Sequence, residues 1–359
     1  MEDRESAVTV SSSDRFVGCL LGGAVGDALG WPVEFLSMSE IRRKFGPEGI
    51  QDFADTAGGI GAITDDTQMT LFTAEGLLRE FHESYQPRRK PDYPASIYRS
   101  YLCWLHTQGE VSRDPNFRNC LDGELLKVAG LHHRRAPGNT CLSALIAGKV
   151  GTVEHPVNSS KGCGGVMRVA PVGLFCRAFP GNIDDEGRAK EAFELGCAAT
   201  AITHGHPLGY LPAGFLSSVI FHLVSGRSLE EAVSGAMMIL VERPEYEKSS
   251  LAAMVSQAIR QSRKSKPNPE TIERLGGGWV GDEALAISLY CAFAAEEDFA
   301  RGVRLAVNHS GDSDSTGAIT GNILGALLGE GAIPGEWLAK LELREVIEVI
   351  GRMLQSACK

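Results

Sequence analysis

Apolar residues recur at spacings of three and four along most of this 359-residue chain. In "GRAKEAFELGCAATAIT", Ala189, Ala192, Phe193, Gly196, Ala199 and Thr200 share one face of a 3.6-residue period. "SLEEAVSGAMMILVE" opens on Ser228 with Glu231 three residues on, the pattern of a capping box. Similar segments cover roughly 14–29, 67–84, 93–107, 207–225, 248–262, 282–308, 315–329 and 343–356. Alternating strand patterns bounded by turns are scarce. Helices patterned this way bury their apolar stripes against one another, which predicts an all-α fold. The expected loops are 46–66, 86–92, 109–120, 132–139, 151–166, 180–186, 243–247 and 264–281. None reads as a domain linker, so one compact domain over residues 1–359 is expected, with a core of about 14–356.

Glycine sharpens this expectation. The chain has 42 glycines, about 12% against an ordinary ~7%. They cluster in short runs such as "GCLLGGAVGDALG", which predicts closely packed helices and several tight loops. The net charge is -10 and no Lys/Arg-rich tract rises above it, so no grip on a nucleic-acid backbone is indicated. The start, "MEDRESAVTVSSSDRF", lacks a basic segment followed by an apolar one, so no signal peptide is expected. No uninterrupted apolar run of about 18 residues is found, so no membrane span is expected either. Nine cysteines form no C-x-x-C pair and sit mostly in apolar contexts. That usage predicts reduced, buried thiols and a cytoplasmic location.

Against this background two acidic clusters stand out. "NHSGDSDSTGAITG", residues 308–321, alternates Asp312 and Asp314 with hydroxyl side chains ahead of an apolar helix. "GAITDDTQMT" places Thr64, Asp65 and Asp66 at the start of another. Residues two apart point to different helix faces, so Asp312 and Asp314 fit a turn leading into a helix. Either cluster alone reads equally well as N-capping. A cap needs one oxygen, however, and each cluster offers several. Clustered carboxylates repel unless a cation joins them, and oxygen ligands without His or Cys favour Mg²⁺ or Mn²⁺ over Zn²⁺. "GGAVGDALGWPVEF" adds Asp27 and Glu34; Glu34 is either a surface charge or, beside metals, a base or ligand. In "NSSKGCGGVMRVAPVGL" a glycine-rich loop could present amides to phosphate oxygens, or be a plain loop. "THGHPLGYL" holds His204 and His206 two apart, a poor zinc spacing on a helix. His204 is either a donor to a substrate phosphate or a structural histidine.

These five stretches, in this order over about residues 16–330, resemble the ordered motifs of the ADP-ribosylglycohydrolases. The resemblance implies an all-α fold of the ADP-ribosylglycohydrolase type. It implies a centre of two Mg²⁺ or Mn²⁺ ions and hydrolysis of a glycosidic bond to ADP-ribose. The partner would be an ADP-ribosylated protein or a small molecule containing ADP-ribose. Thr64, Asp65 and Asp66, with Asp312, Asp314 and Ser315, match the metal motifs, and Thr316 is adjacent. Ser160, Gly162, Cys163 and Gly164 match the loop that wraps ADP-ribose, and His204 matches a phosphate-contacting histidine. "RRAPGNTCLSAL" and "GGGWVGDEALAI" are similar to segments of the bacterial branch, which places Asn139 and Trp279 in the cleft. Glu34 and Asp66 are the catalytic candidates the resemblance supplies. Some members carry an aspartate where Ala136-Pro137-Gly138 stands here, which leaves the base open, with Asp122 a distant alternative. "THGHP" is closer to members acting on ADP-ribosyl-arginine. ADP-ribosyl-serine or a small ADP-ribosyl metabolite remains an alternative substrate. A dinuclear-metal phosphohydrolase and a non-catalytic ADP-ribose binder are the alternative classes.

Overall fold

A computed structural model describes residues 10–85, 89–178, 183–246, 249–264 and 267–357. Parts of the expected loops at 86–92, 180–186, 243–247 and 264–281, and Cys358, lie outside them. The chain runs through α1 (Ser12–Gly30), α2 (Met38–Phe45), α3 (Asp65–Tyr85) and α4 (Tyr93–Thr107). Next come α5 (Asn139–Ala147), α6 (Ala170–Ala178), α7 (Asp185–Ala201) and α8 (Pro207–Val224). Then follow α9 (Leu229–Val241), α10 (Leu251–Ser262), α11 (Pro269–Glu273) and α12 (Gly281–Ala294). The last are α13 (Phe299–Val307), α14 (Ser313–Leu328), α15 (Gly335–Leu338) and α16 (Arg344–Ser356). No strand occurs among the described residues, and the all-α expectation holds.

Three helices start at capping boxes. Ser228 accepts from the Glu231 amide while Glu231 reaches back to the Ser228 amide, so α9 begins at the capping box seen in the sequence. Ser11 with Asp14 and Ser37 with Glu40 do the same for α1 and α2. The single helix expected over 282–308 is instead two. Glu296 and Glu297 adopt left-handed backbone at φ 52° and 63°, which breaks the run between α12 and α13. An apolar periodicity cannot register such a turn, because both helices bury the same kind of face.

The glycines explain the most extensive helix pairing, between α1 and α14. Gly18, Gly22 and Gly26 face Gly325, Gly321 and Gly317 across an antiparallel contact, and Gly30 meets the backbone of Ser313 and Asp314. A Cβ at any of these α1 positions would overlap the opposing main chain. Asn322 adds an interhelical hydrogen bond to the Cys19 carbonyl at 2.7 Å. Two helices, 12–33 and 207–224, prove long and apolar enough to cross a membrane by length and composition, a point the sequence expectation missed. Each is 89% buried inside the fold, where it forms core.

This pairing sets the site, because the C-terminal end of α1 lies against the N-terminal end of α14. In an exposed helix Gly→Ala stabilises by about 1 kcal/mol. Gly321→Ala should do the reverse and destabilise by about 3 kcal/mol, the upper range for overpacking. Gly331, with open space around it, is the control. Urea midpoints decide; an unchanged midpoint for Gly321→Ala would remove the close-packing account.

Candidate active site

Three helix ends converge. From α1, Asp27 is fully buried and accepts hydrogen bonds from the Thr64 amide (3.0 Å), the Thr64 hydroxyl (2.7 Å) and the Thr67 amide (3.1 Å). It thereby ties the start of α3 to α1 and caps it from another helix. A short 3₁₀ turn, Trp31–Val33, carries the chain from α1 to Glu34. Asp312 stands at the N-cap position of α14 without a side-chain capping bond, its amide donates to the Gly277 carbonyl at 2.8 Å, and Asp314 sits in the first turn. The N-terminal dipole ends of α3 and α14 both favour negative charge here.

The result is a cleft of about 320 Å³ lined at one end by Glu34, Asp65, Asp66, Asp312, Asp314 and Ser315. Asn139, Gly162, Cys163, Gly164, His204 and Trp279 line the same cleft. Two expected site residues stand one step back. Thr64 is fully buried, donates to Asp27 and accepts from the Asp66 amide at 3.2 Å, which leaves its oxygen one lone pair. Ser160 accepts from the Gly162 amide at 3.3 Å and meets the Thr140 hydroxyl at 3.2 Å, so it holds the loop's shape.

The glycine-rich loop is fastened to the start of α12. The Cys163 amide donates to the Trp279 carbonyl at 3.1 Å and the Gly281 amide to the Lys161 carbonyl at 2.9 Å. Its glycines let it press on its neighbours: a Cβ at Gly164 would meet Cys141 Sγ at 3.0 Å and the His204 ring at 3.1 Å. The departure at Ala136-Pro137-Gly138 also has a place. This segment lines the cleft, and the Gly138 amide donates to Asp65 at 3.1 Å.

Burial dominates the electrostatics. It raises Asp27 to about 6 despite four hydrogen bonds that oppose it. It raises Asp65 to about 8, with Asp27 and Asp312 adding repulsion. Glu34 is pushed up to about 9 by burial and then by Asp312, Asp65 and Asp27. Asp66, Asp312 and Asp314 move in the same direction, burial first. Buried Asp66 Oδ2 and Glu34 Oε2 have no hydrogen-bond partner, which is costly for carboxylate oxygens. One oxygen each of Glu34, Asp312 and Asp314 lies within 4.8 Å of the others. Mutually repelling, all-oxygen ligands at this spacing, with Glu34 and Asp66 each holding an unpartnered oxygen, fit a hard divalent cation, whose charge would favour their ionised forms.

Other candidates fall away. Asp122 lies on a separate groove of about 650 Å³ with Glu75, Val349 and Met353, outside the cleft. It pairs there with Arg79 at 3.0 Å and Arg99 at 3.1 Å. His206 accepts from the Leu208 amide at 3.0 Å as the N-cap of α8. Thr316 bonds back to the Asp312 carbonyl at 2.9 Å and to His309, inside the fold.

Two residues escaped the sequence reading. Phe35, 69% exposed at the cleft mouth, stacks on Trp279 with ring centroids 5.1 Å apart. Its left-handed φ of 66° is strained for an aromatic residue, and no sequence signal announces that. Arg168 is fully buried behind the cleft. Its one signal was a charge inside the apolar run "GGVMRVAP".

A family model described as ADP-ribosylglycohydrolase matches residues 9–359. The chain belongs to the ADP-ribosylglycohydrolase family. It is 26% identical to the ADP-ribosyl-[dinitrogen reductase] glycohydrolase of Rhodospirillum rubrum, over 94% of each chain. It is 27% identical to ADP-ribosylarginine hydrolase Tri1 of Serratia proteamaculans, over 96% of this chain and 79% of that protein. It is 23% identical to ADP-ribosylhydrolase ARH3 of Homo sapiens, over 96% and 93%. A solved structure titled "ADP-ribosylglycohydrolase-related protein complex" superposes with a TM-score of 0.63 at 26% identity. The match covers 97% of this chain and 99% of that one. As an ADP-ribosylglycohydrolase, the chain is an enzyme that hydrolyses ADP-ribose adducts.

Proposed function

We propose that this ADP-ribosylglycohydrolase removes ADP-ribose from arginine side chains in a reaction that requires Mg²⁺ or Mn²⁺. The observation that carries the metal requirement is the convergence of Asp65, Asp66, Asp312, Asp314 and Glu34 in one cleft, two of them with unpartnered oxygens. These residues, with Ser315 and the remaining lone pair of Thr64, would hold two ions. Bound there, the ions would supply positive charge to orient the ribose hydroxyls and polarise the bond to be cleaved.

The chain's own groups do the rest. Glu34 orients a water against the anomeric carbon and accepts its proton, with Asp66 the second carboxylate in reach of that role. Burial and then the neighbouring carboxylates hold Glu34 at about 9, so it can accept a proton at neutral pH only when positive charge beside it offsets both. Water oxygen bonds to the anomeric carbon as the carbon–nitrogen bond to the guanidine breaks. The guanidine takes up a proton and leaves as the free arginine side chain. The Gly162–Gly164 loop, held by Ser160, and His204 hold the diphosphate; Asn139, Trp279 and Phe35 bound the cleft around the nucleotide. The sequence "THGHP" and the relatives named as ADP-ribosylarginine hydrolases support the arginine linkage.

Mass spectrometry of ADP-ribosyl-arginine and ADP-ribosyl-serine peptides, incubated with protein and Mg²⁺ or Mn²⁺, tests the proposal. The arginine peptide should lose the whole ADP-ribosyl group, and chelator should stop the loss. Loss from the serine peptide alone would overturn the arginine assignment. Loss of AMP alone would indicate a phosphohydrolase, and binding without any loss an inactive ADP-ribose binder.

A further inference from the structure

Arg168 carries a fixed positive charge in the interior, at 0% exposure. Its guanidinium donates to the Thr203 hydroxyl oxygen at 2.7 Å and to Cys141 Sγ at 3.3 Å, and lies 4.3 Å from the Tyr101 ring centroid. The Thr203 oxygen is also 2.8 Å from His204 Nδ1. Thr203 and His204 are themselves buried.

These contacts fix a direction. Guanidinium groups only donate, so the Thr203 oxygen accepts from Arg168. Thr203 has a single hydroxyl proton. Were His204 Nδ1 also to donate to this oxygen, that proton would have no acceptor among the described residues, in a site closed to water. A buried unpaired donor is costly. The proton therefore goes to Nδ1, and the neutral ring carries its own hydrogen on Nε2. Burial and the Arg168 charge hold His204 at about 3, so the ring is neutral. Nε2 lies on the glycine side of the ring: a Cβ at Gly164 would meet it at 3.3 Å and one at Gly162 at 3.4 Å.

We propose that Arg168 and Thr203 are positioning residues that lock His204 as the Nε2–H tautomer, presenting a hydrogen-bond donor to a ligand oxygen beside the Gly162–Gly164 loop. The identity of that oxygen, a diphosphate oxygen of ADP-ribose, rests on the function proposed above; the tautomer does not. The device gives the cleft a neutral donor of fixed aim. An Nδ1–H tautomer would offer the ligand an acceptor instead.

Long-range ¹H–¹⁵N correlation spectra of the wild-type protein, with His204 assigned by its loss in His204→Gln, read the tautomer directly. Protonated Nε2 is expected; protonated Nδ1 overturns the proposal. In the same preparations, ADP-ribose is titrated calorimetrically into wild type, Thr203→Val and Thr203→Ser, with thermal melts showing that each is folded. Thr203→Val should bind about tenfold more weakly, the scale of one oriented hydrogen bond to a charged group. Thr203→Ser, which keeps the hydroxyl, should stay within about threefold of wild type. A folded Thr203→Val that binds as tightly as wild type overturns the proposal. If wild type binds no ADP-ribose, the proposed function fails, and the spectra still decide the tautomer.

Discussion

Asp314→Asn loses cation-dependent turnover and gains stability in chelator. The substitution keeps the size of the side chain and the oxygen that accepts from the Ser315 amide at 3.1 Å, so α14 still starts where it does. What it removes is one buried acid from a cluster in which burial, Glu34, Asp66 and Asp312 all oppose ionisation. The sign follows from linkage. Carboxyls raised to about 8 at Asp65 and about 9 at Glu34 hold protons that the unfolded chain has already released. Their stabilising contribution is present below about pH 4 and lost as pH rises from there through 8 and 9. In chelator, wild-type melting temperature should therefore fall from pH 5 to pH 9, more steeply than that of Asp314→Asn. Millimolar Mg²⁺ should flatten the wild-type slope and leave the variant's unchanged. Cation affinity in the variant should drop by at least about 100-fold, the upper end of what losing even a group behind the ligands costs. A variant that melts like wild type with and without Mg²⁺, and still turns over, would contradict the carboxylate-centre account.

Glu34→Gln lowers kcat by about 10²–10⁴, the usual contribution of general acid–base help. Glutamine retains the shape and one acceptor oxygen, so ADP-ribose should still bind in a calorimetric titration. If Glu34 were only a charge at the end of α1, the substitution would change stability by about 0.5 kcal/mol and turnover would persist. Near-normal turnover would pass the proton-accepting role to Asp66, which shares the cleft.

The two acidic motifs were legible because each packs several oxygens into a helix start, more than capping needs. Composition and spacing could say that Asp65, Asp66, Asp312 and Asp314 wanted a cation. Bringing them together requires two contacts between segments far apart in the chain. The glycine stripe sets α14 against α1, and Asp27 ties the start of α3 to α1; the stripe is present in the sequence as runs of small residues but without a register. Asp27 shows the same limit: its hydrogen bonds to Thr64 and Thr67 join α1 to α3, and no local pattern predicts such a cap. α5 and α6, of which only Asn139 lies in an expected loop, match no expected helix, because nine-residue helices carry too few turns for a period to stand out. Phe35 depends on a left-handed backbone that sequence preference argues against. Arg168 and Thr203 lie in segments read for their glycines and histidines, and their bond to each other is visible only in three dimensions.

Anomalous diffraction from crystals grown with Mn²⁺ tests the central claim most directly. Two peaks are expected in the cleft, among the carboxylates of Asp65, Asp66, Asp312 and Asp314 and beside Glu34. No peak there at saturating Mn²⁺, or peaks only at sites elsewhere on the surface, would contradict the account.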